Sequence, residues 1–88
     1  MNFKILGIEH VGLAQNKENS DLASFFENVL NISKQSEVVE EQKVLTEIFA
    51  TKSGKIELLS PTSQESVISK YLSKKGQSAH HIALLVDD

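Results

Sequence analysis

The segments EHVGLA (Glu9–Ala14) and HHIALLV (His80–Val86) decide the fold. Over Phe3–Ala14 apolar and polar residues mix with period two, so that Ile8, His10, Gly12 and Ala14 point one way and Glu9, Val11 and Leu13 the other, as in a strand. Ala79–Val86 is apolar and rich in branched residues and reads as a second strand. His10 and His81 hold similar places in the two, which is the start of an internal repeat. Asp87-Asp88 then reads as a helix start, because a carboxylate there accepts free backbone N–H groups and meets the positive end of a helix dipole. The chain is therefore expected to be truncated after the first strand of a second module.

Working inward, Leu22, Phe25, Phe26, Val29 and Leu30 fall at i, i+3, i+4, i+7 and i+8. That spacing predicts a helix over 19–31 with one apolar stripe, capped by Asn19 or Ser20 and ended by Asn31 in the left-handed conformation. Three strands are predicted at 34–40, 44–51 and 55–60, an antiparallel meander with Ser53-Gly54 turning between the last two. After Pro61, residues 62–75 predict a connecting helix with Val67, Ile68, Tyr71 and Leu72 on one face, Ser63 as its cap and Gly76 just past its end. The result is an α+β chain with module one at 1–60, a connecting helix at 61–76 and the first strand of module two at 79–86.

Composition removes several function classes. Leu, Ile, Val and Phe make up 28 of the 88 residues, enough for one folded core and too few residues overall for two. The net charge of −3 gives no positive field to hold a phosphate backbone, so nucleic acid is not expected as a partner. Absence of cysteine rules out disulfides, thiolate zinc sites and thiol nucleophiles, and fits a reducing compartment. Neither a signal peptide nor a membrane-length apolar run is present, so a cytoplasmic protein without a membrane partner is expected.

Three polar residues stand where a strand favours apolar ones: His10, Glu57 in KIELL, and one of the pair His80-His81. Imidazole and carboxylate on rigid strands suit a divalent metal such as Zn, Mn, Co or Ni, with open positions for a substrate oxygen. The candidates lie 47 and 24 positions apart, so only a fold can bring them together. Taken singly, each histidine also reads as a hydrogen-bonded strand residue and Glu57 as a solvated outward carboxylate. Lys74-Lys75, near Lys70, reads as a helix end suited to its dipole or, alternatively, as a site for phosphates.

The strand EHVGLA, the helix end FFENVLNI (Phe25–Ile32), the segment IELLSPTSQESVISKYLSKKG (Ile56–Gly76) and the strand HHIALLVDD closely resemble the methylmalonyl-CoA epimerases. These enzymes belong to the vicinal oxygen chelate superfamily, which also holds glyoxalase I. The resemblance runs in colinear order through essentially all 88 residues and covers the first part of the family domain. It implies paired βαβββ modules closing around a divalent metal, with His10 as first-strand ligand, Glu57 as last-strand ligand of module one and His81 as first-strand ligand of module two. A fourth ligand, a Glu near the end of module two that doubles as a catalytic base, has no counterpart here. His80 is expected to face away from the metal.

The resemblance also implies a second base, a Glu on the third strand of module one. VLTEIFA offers Glu47 for it, with a one-residue shift in the alignment. Such a shift reverses the side chain's face, so an exposed strand carboxylate is the other reading. The implied reaction is epimerisation at C2 of an acyl-CoA through a metal-stabilised enolate, with one acid/base group on each face. A glyoxalase I-like lactoylglutathione lyase and a non-catalytic binding protein are the rival readings. The open edge of Ala79–Val86 invites a second copy, so a homodimer is expected.

Overall fold

A computed structural model describes residues 2–19 and 21–87. Five strands, β1 (Ile5–Ala14), β2 (Lys34–Val39), β3 (Val44–Thr51), β4 (Gly54–Pro61) and β5 (Ser78–Val86), form one sheet in the order β2-β3-β4-β1-β5. The predicted meander is present: β2, β3 and β4 pair antiparallel in sequence, and Lys52-Ser53 make the two-residue turn before Gly54. Strand β1 lies parallel to β4, and β5 runs antiparallel along its other side. The mixed α+β architecture is the one anticipated.

The first helix differs from its sequence pattern. Leu22–Ser24 forms one α-helical turn, α1, and Phe25–Val29 continues it as a π-helical turn. Leu30 donates its N–H to the Phe25 carbonyl at 3.1 Å, five residues back, and Asn31 ends the segment at φ 59°, the left-handed geometry expected of it. A π-turn holds more residues than an α-turn, so the stripe drawn for period 3.6 fans out. Only Phe26 of that stripe is buried, while Phe25, Val29 and Leu30 are exposed. Of the two expected caps, Asn19 is the last residue of a short 3-10 turn, Lys17–Asn19, and Ser20 lies outside the described residues.

The connecting helix α2 is shorter than predicted, Val67–Lys75, because Pro61 ends β4 and a turn intervenes. Ser63 accepts the Glu65 N–H inside that turn, and the true cap is buried Ser66, whose hydroxyl accepts the Ile68 N–H at 3.1 Å. Gly76, at φ 72°, stops the helix as expected.

Both faces of the sheet carry apolar contacts, at different places. On one face Phe26, Phe49 and Leu58 form a cluster with Leu13, Ala23, Ile32 and Ile56, so the first helix covers β3, β4 and the end of β1. On the other, Ala14, Val44, Leu59 and Ile68 pack with Tyr71 and Leu72 beneath α2. Helix α2 covers only one end of that second face. The middle stays open, and there the polar strand residues gather.

Candidate metal centre

Strand register brings three of the four sequence candidates together. Ile48 of β3, Glu57 of β4, Gly12 of β1 and His81 of β5 are successive neighbours in one rung. Residues paired across a sheet project to the same face, so Glu57 and His81 flank Gly12, and His10, two residues before Gly12, stands beside them. His10 Nε2 lies 2.9 Å from His81 Nε2, and His10 Nδ1 lies 3.7 Å from Glu57 Oε2. The two imidazoles meet edge to face, with ring centroids 5.0 Å apart.

Two of the three irregularities in the β1–β5 ladder refine this picture. Register advances from Ile8↔Leu84 to His10↔Ala83, leaving Glu9 as an extra residue in β1, and from Gly12↔His81 to Leu13↔Ala79, leaving His80 extra in β5. A bulge breaks strict alternation and re-aims side chains. Glu9, which period two sends to the opposite face, instead places Oε1 2.6 Å from His10 Nδ1 and Oε2 3.3 Å from the Lys55 ammonium. His80, expected to face away, sets its Nδ1 3.0 Å from His81 Nδ1 and its ring against Tyr71. Glu9 and His80 are the site residues that sequence reasoning missed. No sequence signal marks either bulge.

Electrostatics fit the geometry. The His10 ring nitrogen and then Lys55 hold the Glu9 carboxyl below the ordinary carboxylate range. Burial, followed by the neighbouring His10 and His80 rings, holds the His81 imidazole below its ordinary 6.5, so at neutral pH it keeps a free nitrogen lone pair.

Gly12 makes the histidine contact possible. A Cβ there would lie 2.3 Å from His81 Cε1 and 2.6 Å from its Nδ1, so the His81 ring occupies the space a side chain would fill. The obstacle is a mobile ring and not backbone, so Gly12→Ala is expected to keep the fold and swing His81 out. Calorimetric titration with Zn2+ should then show an affinity about 10–100-fold below the parent, with the denaturation midpoint little changed. Parent-like affinity would show that His81 is not a ligand. A Gly inside a strand pattern was the available clue, since such glycines mark close approach.

Glu47 is not brought to this group. It pairs with Leu58, on the face covered by the first helix, and is only 1% exposed. Its carboxylate lies 3.3 Å from the Lys34 ammonium, 3.7 Å from that of Lys17 and 3.3 Å from the Gln15 amide, which also donates to Ser60. The residue of β3 that shares the open face next to Ile48 is Thr46. The one-residue shift needed to align Glu47 as a base thus carries its side chain through the sheet.

The model of the Glyoxalase/Bleomycin resistance protein/Dioxygenase superfamily matches residues 9–88. The chain belongs to this superfamily. It is 43% identical over 79 residues to protein YqjC of Bacillus subtilis (strain 168), which covers 89% of this chain and 56% of YqjC. Among solved structures it resembles methylmalonyl-CoA epimerase from Mycobacterium tuberculosis, with TM-score 0.79 and 27% identity over 96% of this chain and 57% of that one. A methylmalonyl-CoA epimerase in complex with methylmalonyl-CoA and NH4+ is similar at TM-score 0.75 and 29% identity, covering 92% of this chain and 60% of that one. The chain thus spans somewhat more than half the length of these relatives.

The spacing of the His10 and His81 Nε2 atoms fits two ligands on one divalent cation. Two ligand atoms about 2.1 Å from one ion and at right angles lie about 3.0 Å apart. The His10 and His81 Nε2 atoms, 2.9 Å apart, meet that requirement. Glu57 lies on the Nδ1 side of His10, and among the described residues the three-donor group within 4.8 Å is Glu9, His10 and Glu57, without His81. Beside the cluster on the same face, a groove of about 510 Å3 is lined by Gln35, Ile48, Ala50, Lys52 and Lys55 among others. Lys70 and Lys74 line a separate groove on α2.

Proposed function

We propose that the protein carrying this chain is a metal-assisted methylmalonyl-CoA epimerase in which His10, Glu57 and His81 are ligands to a divalent ion, Co, Mn, Ni or Zn. The observation that supports this reading most directly is the meeting of the two Nε2 atoms above Gly12, with Glu57 in the same rung. Similarity at 26–29% identity to solved methylmalonyl-CoA epimerases supports the substrate class. A bound divalent cation would supply the electrophile that offsets negative charge developing on a thioester oxygen. His10 and His81 contribute neutral donors and Glu57 an anionic one. The groove beside them, walled by Ile48 and Ala50 and edged by Lys52 and Lys55, suits an acyl group with an anionic end.

Epimerisation needs an acid/base group on each face of the flattened carbon. Glu47, on the far side of the sheet, is not proposed for that role. That placement is also the observation favouring a second reading, a glyoxalase I-like lactoylglutathione lyase or a non-catalytic binding protein of the same superfamily.

Among the described residues no helix is long and apolar enough to cross a membrane, and a cytoplasmic location is part of the proposal. So is a homodimer formed along β5, whose Ile82, Leu84 and Leu85 are exposed beside Ile5, Leu6 and Ile8 of β1. The deciding experiment follows exchange of the C2 proton of methylmalonyl-CoA with solvent deuterium in the presence of Co2+, with the glutathione hemithioacetal of methylglyoxal as the competing substrate. Exchange and inversion at C2 are expected. Turnover of the hemithioacetal alone would replace the epimerase by the lyase, and turnover of neither would leave a binding protein.

A further inference from the structure

Each histidine of the Nε2 pair has its other nitrogen occupied by the residue that immediately precedes it in the chain. Glu9 Oε1 stands 2.6 Å from His10 Nδ1, and His80 Nδ1 stands 3.0 Å from His81 Nδ1. Both preceding residues are the extra residues of ladder bulges, at two of the three register shifts between β1 and β5. In a regular strand they would project to the opposite face, out of reach of the ring they touch. We propose that Glu9 and His80 are positioning residues: the bulges place them to take the Nδ1 protons of His10 and His81, which leaves the two Nε2 atoms free as a donor pair for a divalent cation. This inference rests on the metal-centre reading above and extends it to residues that make no ligand bond.

Distances separate positioning from ligation for Glu9. Two ligands on one ion need about 3.0 Å between donor atoms at a right angle, whereas Glu9 Oε1 and His10 Nδ1 are at hydrogen-bond separation, 2.6 Å. The other Glu9 oxygen faces the Lys55 ammonium, 3.3 Å away, which fixes the carboxylate and offsets its charge. Neutral imidazole has one N–H and one acceptor nitrogen, so an acceptor at Nδ1 selects the form in which Nε2 carries the lone pair. Ionised Glu9 can only accept. His80 accepts through Nδ1 when its own proton is on Nε2, and the Tyr71 ring, 4.7 Å away and nearly perpendicular, keeps it in place.

The test uses Zn2+ as probe and four variants. Glu9→Ala and His80→Phe remove the acceptors, while Glu9→Gln and His80→Asn put a neutral one back. Calorimetry is expected to show Zn2+ affinity about 10–100-fold lower in the first pair and largely restored in the second. Two-bond 1H–15N correlation spectra of the metal-free parent at pH 8 should show His10 protonated on Nδ1, and Glu9→Ala should shift the proton toward Nε2. Unchanged Zn2+ affinity in Glu9→Ala or in His80→Phe overturns the role of that residue, as does a parent His10 protonated on Nε2. Failure of the parent to bind Zn2+ would instead overturn the metal-centre reading, and the metal-free His10 pattern would still decide whether Glu9 holds that ring.

Discussion

Replacing His10 by alanine is expected to lower divalent-cation affinity by more than about 100-fold, beyond the loss that follows removal of an outer hydrogen-bonding group. His10 touches three other members of the cluster, with Glu9 at 2.6 Å, His81 at 2.9 Å and Glu57 at 3.7 Å. Its loss removes one nitrogen donor and also the contact that aims the His81 ring. The fold should survive, because the side chain lies on the open face and belongs to neither apolar cluster. A denaturation free energy within about 1 kcal/mol of the parent is expected. Elemental analysis and Co2+ titration of purified His10→Ala check the point, and parent-like stoichiometry and affinity would reject His10 as a ligand.

On the other face, Lys34→Ala is expected to destabilise the protein by about 1–2 kcal/mol. Glu47 is buried but Lys34 is itself exposed, so losing the lysine costs less than the about 3–5 kcal/mol of a fully buried pair, because water reaches part of the charge left behind. Glu47 is that remaining charge. Lys17 at 3.7 Å and the Gln15 amide at 3.3 Å offset part of the loss. Domains of this size hold about 4–13 kcal/mol in total, so the variant should unfold at visibly lower urea.

The pH dependence of that difference has a definite sign. The hydrogen bond to Glu47 holds the Lys34 ammonium above its ordinary 10.5, with further attraction from Glu27 and burial opposing. The folded state therefore binds this proton more tightly than the unfolded state. The contribution is fully present below about pH 10.5 and disappears as pH rises through the folded value. Urea midpoints of parent and variant should differ by a constant amount from pH 6 to 9 and converge above 10.5. Divalent-cation affinity should be the same in both, since the ion cluster lies across the sheet from the metal centre. A large loss of affinity in Lys34→Ala would mean that the two faces are coupled.

Local pattern was legible where one element decides its own conformation. The approximate strand spans, the left-handed Asn31 and the Gly76 stop follow from side-chain period and backbone sterics, whereas the hairpin turn expected at Ser53-Gly54 falls one residue earlier, at Lys52-Ser53, because Gly54 pairs with Thr51. Helix starts were less legible, since competing caps are equivalent in sequence. Ser63 and Ser66 offer the same hydroxyl, and only the path of the chain after Pro61 selects Ser66.

Sequence by itself determined that this is one α+β chain with histidines in two matching strands, and that His10, Glu57 and one of the pair His80-His81 are the residues worth bringing together, the resemblance to the epimerases pointing to His81. It determined this because strand period and residue chemistry are local properties. Tertiary structure decided the rest. Which face Glu47 takes is fixed by pairing with β4, and a shift of one residue exchanges the metal face for the helix-covered one. The bulges at Glu9 and His80 belong to the fit between β1 and β5, two strands far apart in the chain, and neither strand's sequence specifies an extra residue without the other. Gly12 showed in the sequence only as a missing side chain. Its consequence, room for the His81 ring to reach His10, exists once the two strands are side by side.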